Sequence, residues 1–313
     1  MRAVWMRETG GPEVLVPGEA PDPVAGPGQA LIETAFVNIT FVETQIRAGK
    51  GPFGPVETPL IPGNGVGGVV VAVGDGVDPD LVGARVVTST GGSGAYAQRV
   101  AVDSVGVFPV PDGLALDEAV ALLADGRTAT MLVRHAAIKP GERVLVEAAA
   151  GGVGTLLVQL ARAEGAHVVA AAGGPRKTAL ARELGAETAV DYREPDWTRR
   201  AGEVDVVFDG VGGDIARAAF GLLARGGRMI SYGLASGGWA PVEEDEAAER
   251  GVTLLRPEPD PRELRSYTEH ALKEAAAGRL RPVIGQRFPL ERAADAHAAI
   301  ESRATVGKTL LVV

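Results

Sequence analysis

Between residues 142 and 232 short apolar runs alternate with amphipathic stretches. Val144-Leu145-Val146 has the length and β-branched content of a strand buried on both faces. A small-residue turn follows from Ala148 through Gly154, after which Val153, Leu156, Leu157, Leu160 and Ala161 recur at helical spacing. The pattern then predicts strands over 167–170, 189–190, 204–208 and 228–232, with a helix over 175–185. Strands and helices alternating at this length predict an α/β unit with a doubly wound parallel sheet.

The flanks have a different texture. Strands are predicted over 1–5, 29–37, 68–74 and 84–88, separated by Gly/Pro turns such as Ala25-Gly26-Pro27-Gly28. That spacing suggests a small, partly open β-barrel. A helix over 41–48 follows Asn38 and Thr40, either of which could cap it. Two more helices are predicted over 116–123 and 127–137, and Lys139-Pro140-Gly141 stops the second. A helix over 291–302 and a strand over 309–313 return to the β-rich texture. The expected division is therefore 1–122, completed by 285–313, around a second domain at 123–284.

With 313 residues the chain is long enough for two cores. No apolar run reaches the roughly 20 residues a membrane helix needs, and no secretory signal opens the chain; a cytoplasmic location is expected. The net charge of −9 argues against nucleic acid or an anionic membrane as main partner. Cysteine is absent, which removes disulfides, thiol nucleophiles and Cys-ligated metal. The histidines, His135, His167, His270 and His297, show no ligand spacing, so no metal is expected.

Strand, glycine turn and helix together suit a dinucleotide: the glycines admit the pyrophosphate to the free N–H groups and positive end of the helix. Ala148 stands where the first glycine usually does, leaving Gly151 and Gly154. A tight turn with no ligand is the competing reading. An NAD site would place an acid at the end of the second strand; Ala171-Ala172-Gly173-Gly174 has none. Arg176 and Lys177 follow at a helix start, where the dipole disfavours cations. Either they share an anion such as a 2′-phosphate, or both are solvated surface residues. NADP(H) is the expected cofactor.

The chain resembles the zinc-independent branch of the medium-chain dehydrogenase/reductases, and is most similar to the NADPH quinone oxidoreductases. The resemblance rests on Met1-Arg2-Ala3-Val4, Gly11-Pro12-Glu13-Val14-Leu15, Val37-Asn38, Ile46-Arg47-Ala48-Gly49 and Gly94-Ala95-Tyr96-Ala97. It continues through Gly126-Arg127-Thr128-Ala129, the glycine turn, Leu184-Gly185-Ala186, Asp209-Gly210-Val211-Gly212-Gly213 and Gly307-Lys308-Thr309-Leu310.

It implies a GroES-like substrate domain, a Rossmann cofactor domain, a cleft between them and a homodimer, for which 252–256 is the candidate sheet-extending strand. Asn38 matches an asparagine lining the nicotinamide and substrate pocket, with a helix cap as its alternative, and Thr128 matches a threonine near the nicotinamide. Gly151, Gly152, Val153 and Gly154 form the pyrophosphate turn. Gly173, Arg176, Lys177 and Tyr192 are placed around the 2′-phosphate, and Gly210, Gly233 and Lys308 complete the expected cofactor set. Tyr192 could instead be a rim aromatic.

Relatives carry an asparagine and an acid three residues apart; counted from Asn38 to Glu43, this loop is two residues longer. Gly65 stands where they carry a glutamate, and Arg127 either reaches an acidic substrate or pairs with Asp125. The implied activity is reduction of a quinone or an electron-poor conjugated carbonyl, with Asn38, Thr40 or Thr128 stabilising developing charge. Glu43 and Tyr96 are weaker candidates as acids. An enoyl reductase acting on a thioester, and a non-catalytic NADPH-binding protein of the crystallin kind, are the alternatives.

Overall fold

Two sheets and their covering helices divide the chain into two units, Met1–Ala124 together with Leu272–Val313, and Asp125–Ala271. The computed structural model describes residues 1–51, 54–258 and 260–313. Among these, no helix is long and apolar enough to cross a membrane.

The second unit is built on six parallel strands in the order Thr188–Asp191, His167–Ala172, Arg143–Glu147, Val204–Asp209, Leu223–Ser231 and Thr253–Leu255. Numbered along the chain this is 3-2-1-4-5-6, the doubly wound order, and the direction reverses between Arg143–Glu147 and Val204–Asp209. The apolar runs of the sequence supply its core: Leu145, Val169, Val207 and Met229 are buried with Phe220 and Trp197 from the covering helices. The edge strand Thr253–Leu255 falls within the predicted 252–256.

The first unit carries a seven-stranded sheet. Gln29–Ile39 is its spine, pairing antiparallel with Gly65–Val73, Arg99–Asp103 and the C-terminal Lys308–Val312. Ile284–Pro289 lies parallel to Lys308–Val312, so the C-terminus completes this sheet. A separate hairpin joins Arg2–Met6 to Leu15–Glu19. The latter strand contains Pro17 and Gly18, both of which an edge position tolerates.

The two helices expected over 116–123 and 127–137 are one, Leu116–Ala136. Gly126 lies inside it, where a glycine costs only about 1 kcal/mol. Burial of Val120, Leu123, Ala129 and Leu132 along its length outweighs that.

Candidate functional site

In an open parallel sheet, ligands bind beyond the strand ends where the strand order reverses. Here those ends are Glu147 and Asp209, the last residues of the two central strands. The turn after Glu147 passes through Ala148 at φ 47°, a left-handed conformation that costs an alanine about 1–2 kcal/mol. The helix Gly152–Ala163 then begins. Gly154 has to be glycine: a Cβ there would lie 2.2 Å from the Ala148 carbonyl oxygen. Gly151 donates to Ala148 O (2.8 Å), while the first N–H groups of the helix lack intrahelical partners, as any helix start does. Asp125 packs against this end, 1.9 Å from where a Cβ on Gly152 would sit. Its charge also opposes the loss of proton affinity that burial imposes on the half-buried Arg127.

Beneath the turn lies a group that sequence reasoning overlooked. Asp209 is buried and its carboxylate accepts from Val211 N (3.1 Å), Gly212 N (2.7 Å) and Ser231 Oγ (2.8 Å). These bonds hold the loop that carries Gly210. Glu147 is equally buried, with Asp209 and the Val211 backbone as its polar neighbours. Burial, then the Asp209 charge, raises its pKa well above the ordinary carboxylate range. Glu147 therefore favours its neutral, protonated form in the fold. Tyr232 lies close by: burial, then Glu147, Asp209 and Asp125, push its hydroxyl pKa up.

At the end of the second strand, Gly173 and Gly174 precede the helix Pro175–Glu183, whose first turn carries Arg176 and Lys177. A Cβ on Gly173 would meet the Tyr192 ring at 3.2 Å, and one on Gly174 would meet Arg193 Nη2 at 2.6 Å. Gly173, Arg176, Lys177 and Tyr192, named from sequence, are therefore brought to one turn. Arg193 joins them, and so does Asp191, whose carboxylate binds the Arg193 guanidinium at 2.8 and 3.0 Å. Together with the helix start at Gly152, this cationic, side-chain-poor turn fits a dinucleotide carrying a 2′-phosphate.

Three of the expected residues lie in the first unit. Asn38 is buried on the spine strand, and a Cβ on Gly65 would fall 2.6 Å from its Nδ2. Its amide thus lies over the position where relatives carry a glutamate. Thr40 caps the helix Phe41–Arg47 in a box with Glu43: its N and Oγ1 donate to Glu43 Oε2 at 2.5 and 2.8 Å. Glu43 Oε1 accepts from Asn64 N (2.9 Å). Thr40 and Glu43, three residues apart, are thus joined at the start of this helix. Burial raises the Glu43 pKa, opposed by the Thr40 bonds, the Lys308 charge and Asn64. Lys308, expected at the cofactor, is buried on the C-terminal strand of this unit. Tyr96 is buried with its hydroxyl 2.7 Å from His297 Nε2.

Residues 26–112 match the family described as the alcohol dehydrogenase GroES-like domain, and residues 184–311 match the family described as zinc-binding dehydrogenase. The chain is 37% identical to a probable quinone oxidoreductase of Schizosaccharomyces pombe, covering 99% of this chain and 96% of that protein. A 2-haloacrylate reductase of a Burkholderia species is 32% identical over 99% of this chain and 98% of its own. Among solved structures, Escherichia coli quinone oxidoreductase complexed with NADPH superposes with a TM-score of 0.91 at 31% identity, covering all of both chains.

Proposed function

The chain belongs to the quinone oxidoreductase family of zinc-independent medium-chain dehydrogenase/reductases, and on that premise we propose that it is an NADPH-dependent oxidoreductase reducing a quinone or another electron-poor conjugated carbonyl compound. The carrying observation is the glycine turn at the sheet's switch point in a chain that matches an NADPH complex along its whole length. Bound NADPH supplies the hydride.

The chain's own residues bind, orient and stabilise. We assign the pyrophosphate to the N–H groups at Gly152, Val153 and Gly154, and the 2′-phosphate to Arg176, Lys177 and Tyr192 beside Gly173. Gly210, held by the Asp209 bonds, and Gly233 line the nicotinamide half in this reading. Negative charge develops on the acceptor's oxygen and calls for a donor. Asn38, Thr40 and Thr128 are the donors assigned here, Thr40 also donating to Glu43. Thr40 and Glu43 then shape the substrate side, and the missing glutamate at Gly65 marks where acceptor preference departs from relatives. The unit containing the spine strand is the substrate domain, the doubly wound unit the cofactor domain.

A second reading, reduction of an activated C=C bond, draws support from the relative named for 2-haloacrylate. NADPH oxidation by the purified protein against simple and polycyclic quinones, a conjugated enone and an enoyl thioester separates the two. Turnover on quinones supports the first, turnover confined to the enone or thioester the second, and NADPH bound with nothing reduced sinks both. We also place the protein in the cytoplasm as a homodimer joined at the edge strand Thr253–Leu255. A monomeric mass in solution would remove the dimer.

A further inference from the structure

The two cations at the start of the helix Pro175–Glu183 have a third beside them. Arg193 follows Tyr192 at the end of the strand Thr188–Asp191, and three bonds tie it to Asp191: its N to Oδ1 (3.0 Å), Nε to Oδ1 (3.0 Å) and Nη2 to Oδ2 (2.8 Å). Asp191 also accepts from the backbone of Gly174. The carboxylate therefore links the last strand residue to the helix start and fixes the guanidinium over Gly174, where a Cβ would lie 2.6 Å from Nη2. Gly174 adopts φ 98°, so no other residue enters there without strain.

The pair does little for folding. Arg193 is 61% exposed and Asp191 15%, and an exposed ion pair adds little to stability. Its effect is positional: an arginine that would otherwise sample many rotamers is held in one, with its Nη1 edge unused by Asp191. Gly173 and Gly174 present bare backbone, Tyr192 covers Gly173, and Arg176, Lys177 and Arg193 surround the turn. Three cations less one carboxylate leave two positive charges, matched to a phosphate carrying about −1.5 to −2. Arginine held in this way suits phosphate better than a mobile point charge.

We propose that Arg193 is a third cation of the 2′-phosphate site, and that Asp191 is the positioning residue that holds it there. The proposal deepens the NADPH reading above and depends on it. Asp191, in this account, has a role opposite to the acid of an NAD site: it serves the phosphate through the arginine.

The test is calorimetric titration of the full-length protein with adenosine 2′,5′-bisphosphate and adenosine 5′-monophosphate, which differ only in the 2′-phosphate. The wild type should prefer the bisphosphate. Arg193→Ala should lower that preference about tenfold, the effect of one charge-assisted contact, while leaving monophosphate binding and the melting temperature unchanged. Asp191→Asn should also lower the preference, and adding it to Arg193→Ala should change nothing further, since its effect runs through the arginine. An unchanged preference in Arg193→Ala, or equal weakening of both ligands, overturns the assignment of Arg193. A preference that Asp191→Asn leaves intact overturns its positioning role. A wild type with no preference sinks the NADPH reading itself, an outcome distinct from the other two.

Discussion

Replacing Glu147 by glutamine keeps the shape of the side chain and a donor toward Asp209, but removes the proton that can be lost. A glutamate in an unfolded chain titrates near about 4.3. In the fold, burial and the Asp209 charge raise the Glu147 pKa well above that. Between the two values the folded chain binds one proton more than the unfolded chain, so wild-type stability falls as pH rises. One proton of difference changes the unfolding free energy by about 1.4 kcal/mol per pH unit. Glu147→Gln lacks this penalty. Its stability relative to wild type should therefore climb at about that rate from roughly pH 4.5 upward, and level off once Glu147 ionises in the fold. The assay is urea unfolding at a series of pH values, followed by tryptophan fluorescence, to which Trp197 in the core of the same unit contributes. Parallel stability curves for the two proteins would refute the raised Glu147 pKa.

Two other substitutions test neighbouring parts of the account. Gly154→Ala forces a methyl group to within 2.2 Å of the Ala148 carbonyl oxygen; overpacking of this kind costs about 1–3 kcal/mol, so the urea midpoint should fall and NADPH titration should show weaker binding, whereas wild-type behaviour in both would mean the turn is not tight. His297 is buried and its pKa is lowered to about 3 by burial and then by Arg47. As pH falls from the unfolded value of about 6.5 towards 3, the unfolded chain gains a proton the fold refuses, which costs about 1.4 kcal/mol per pH unit. His297→Gln keeps an acceptor for Tyr96 and should lose stability less steeply over that window; an unchanged acid slope would contradict the neutral, buried histidine.

The doubly wound sheet was legible because strands buried on both faces must be apolar throughout, and 144–146, 167–170 and 204–208 are. The glycine turn and Arg176, Lys177 and Tyr192 were legible because each lies in a short local pattern. What the sequence hid was pairing across distance. Glu147 and Asp209 are 62 positions apart, and only the strand register, which sets Val146 beside Phe208, makes them neighbours. Asp191 and Arg193 are close in sequence, but only the turn at Gly174 gives them a role. Asn38 and Thr40 both read as caps in the sequence; the capping box at Thr40 and Glu43 shows where the strand ends and the helix begins. Gly126 looked like a helix break because packing on both sides of it cannot be read locally.

The central claim is metal-independent reduction driven by NADPH. It is tested most directly by following the consumption of NADPH and of NADH, each with a simple quinone as acceptor, after exhaustive treatment of the protein with a strong chelator. The account predicts that quinone reduction with NADPH survives chelation undiminished and outpaces that with NADH. Activity abolished by the chelator, or equal use of the two nucleotides, would contradict it.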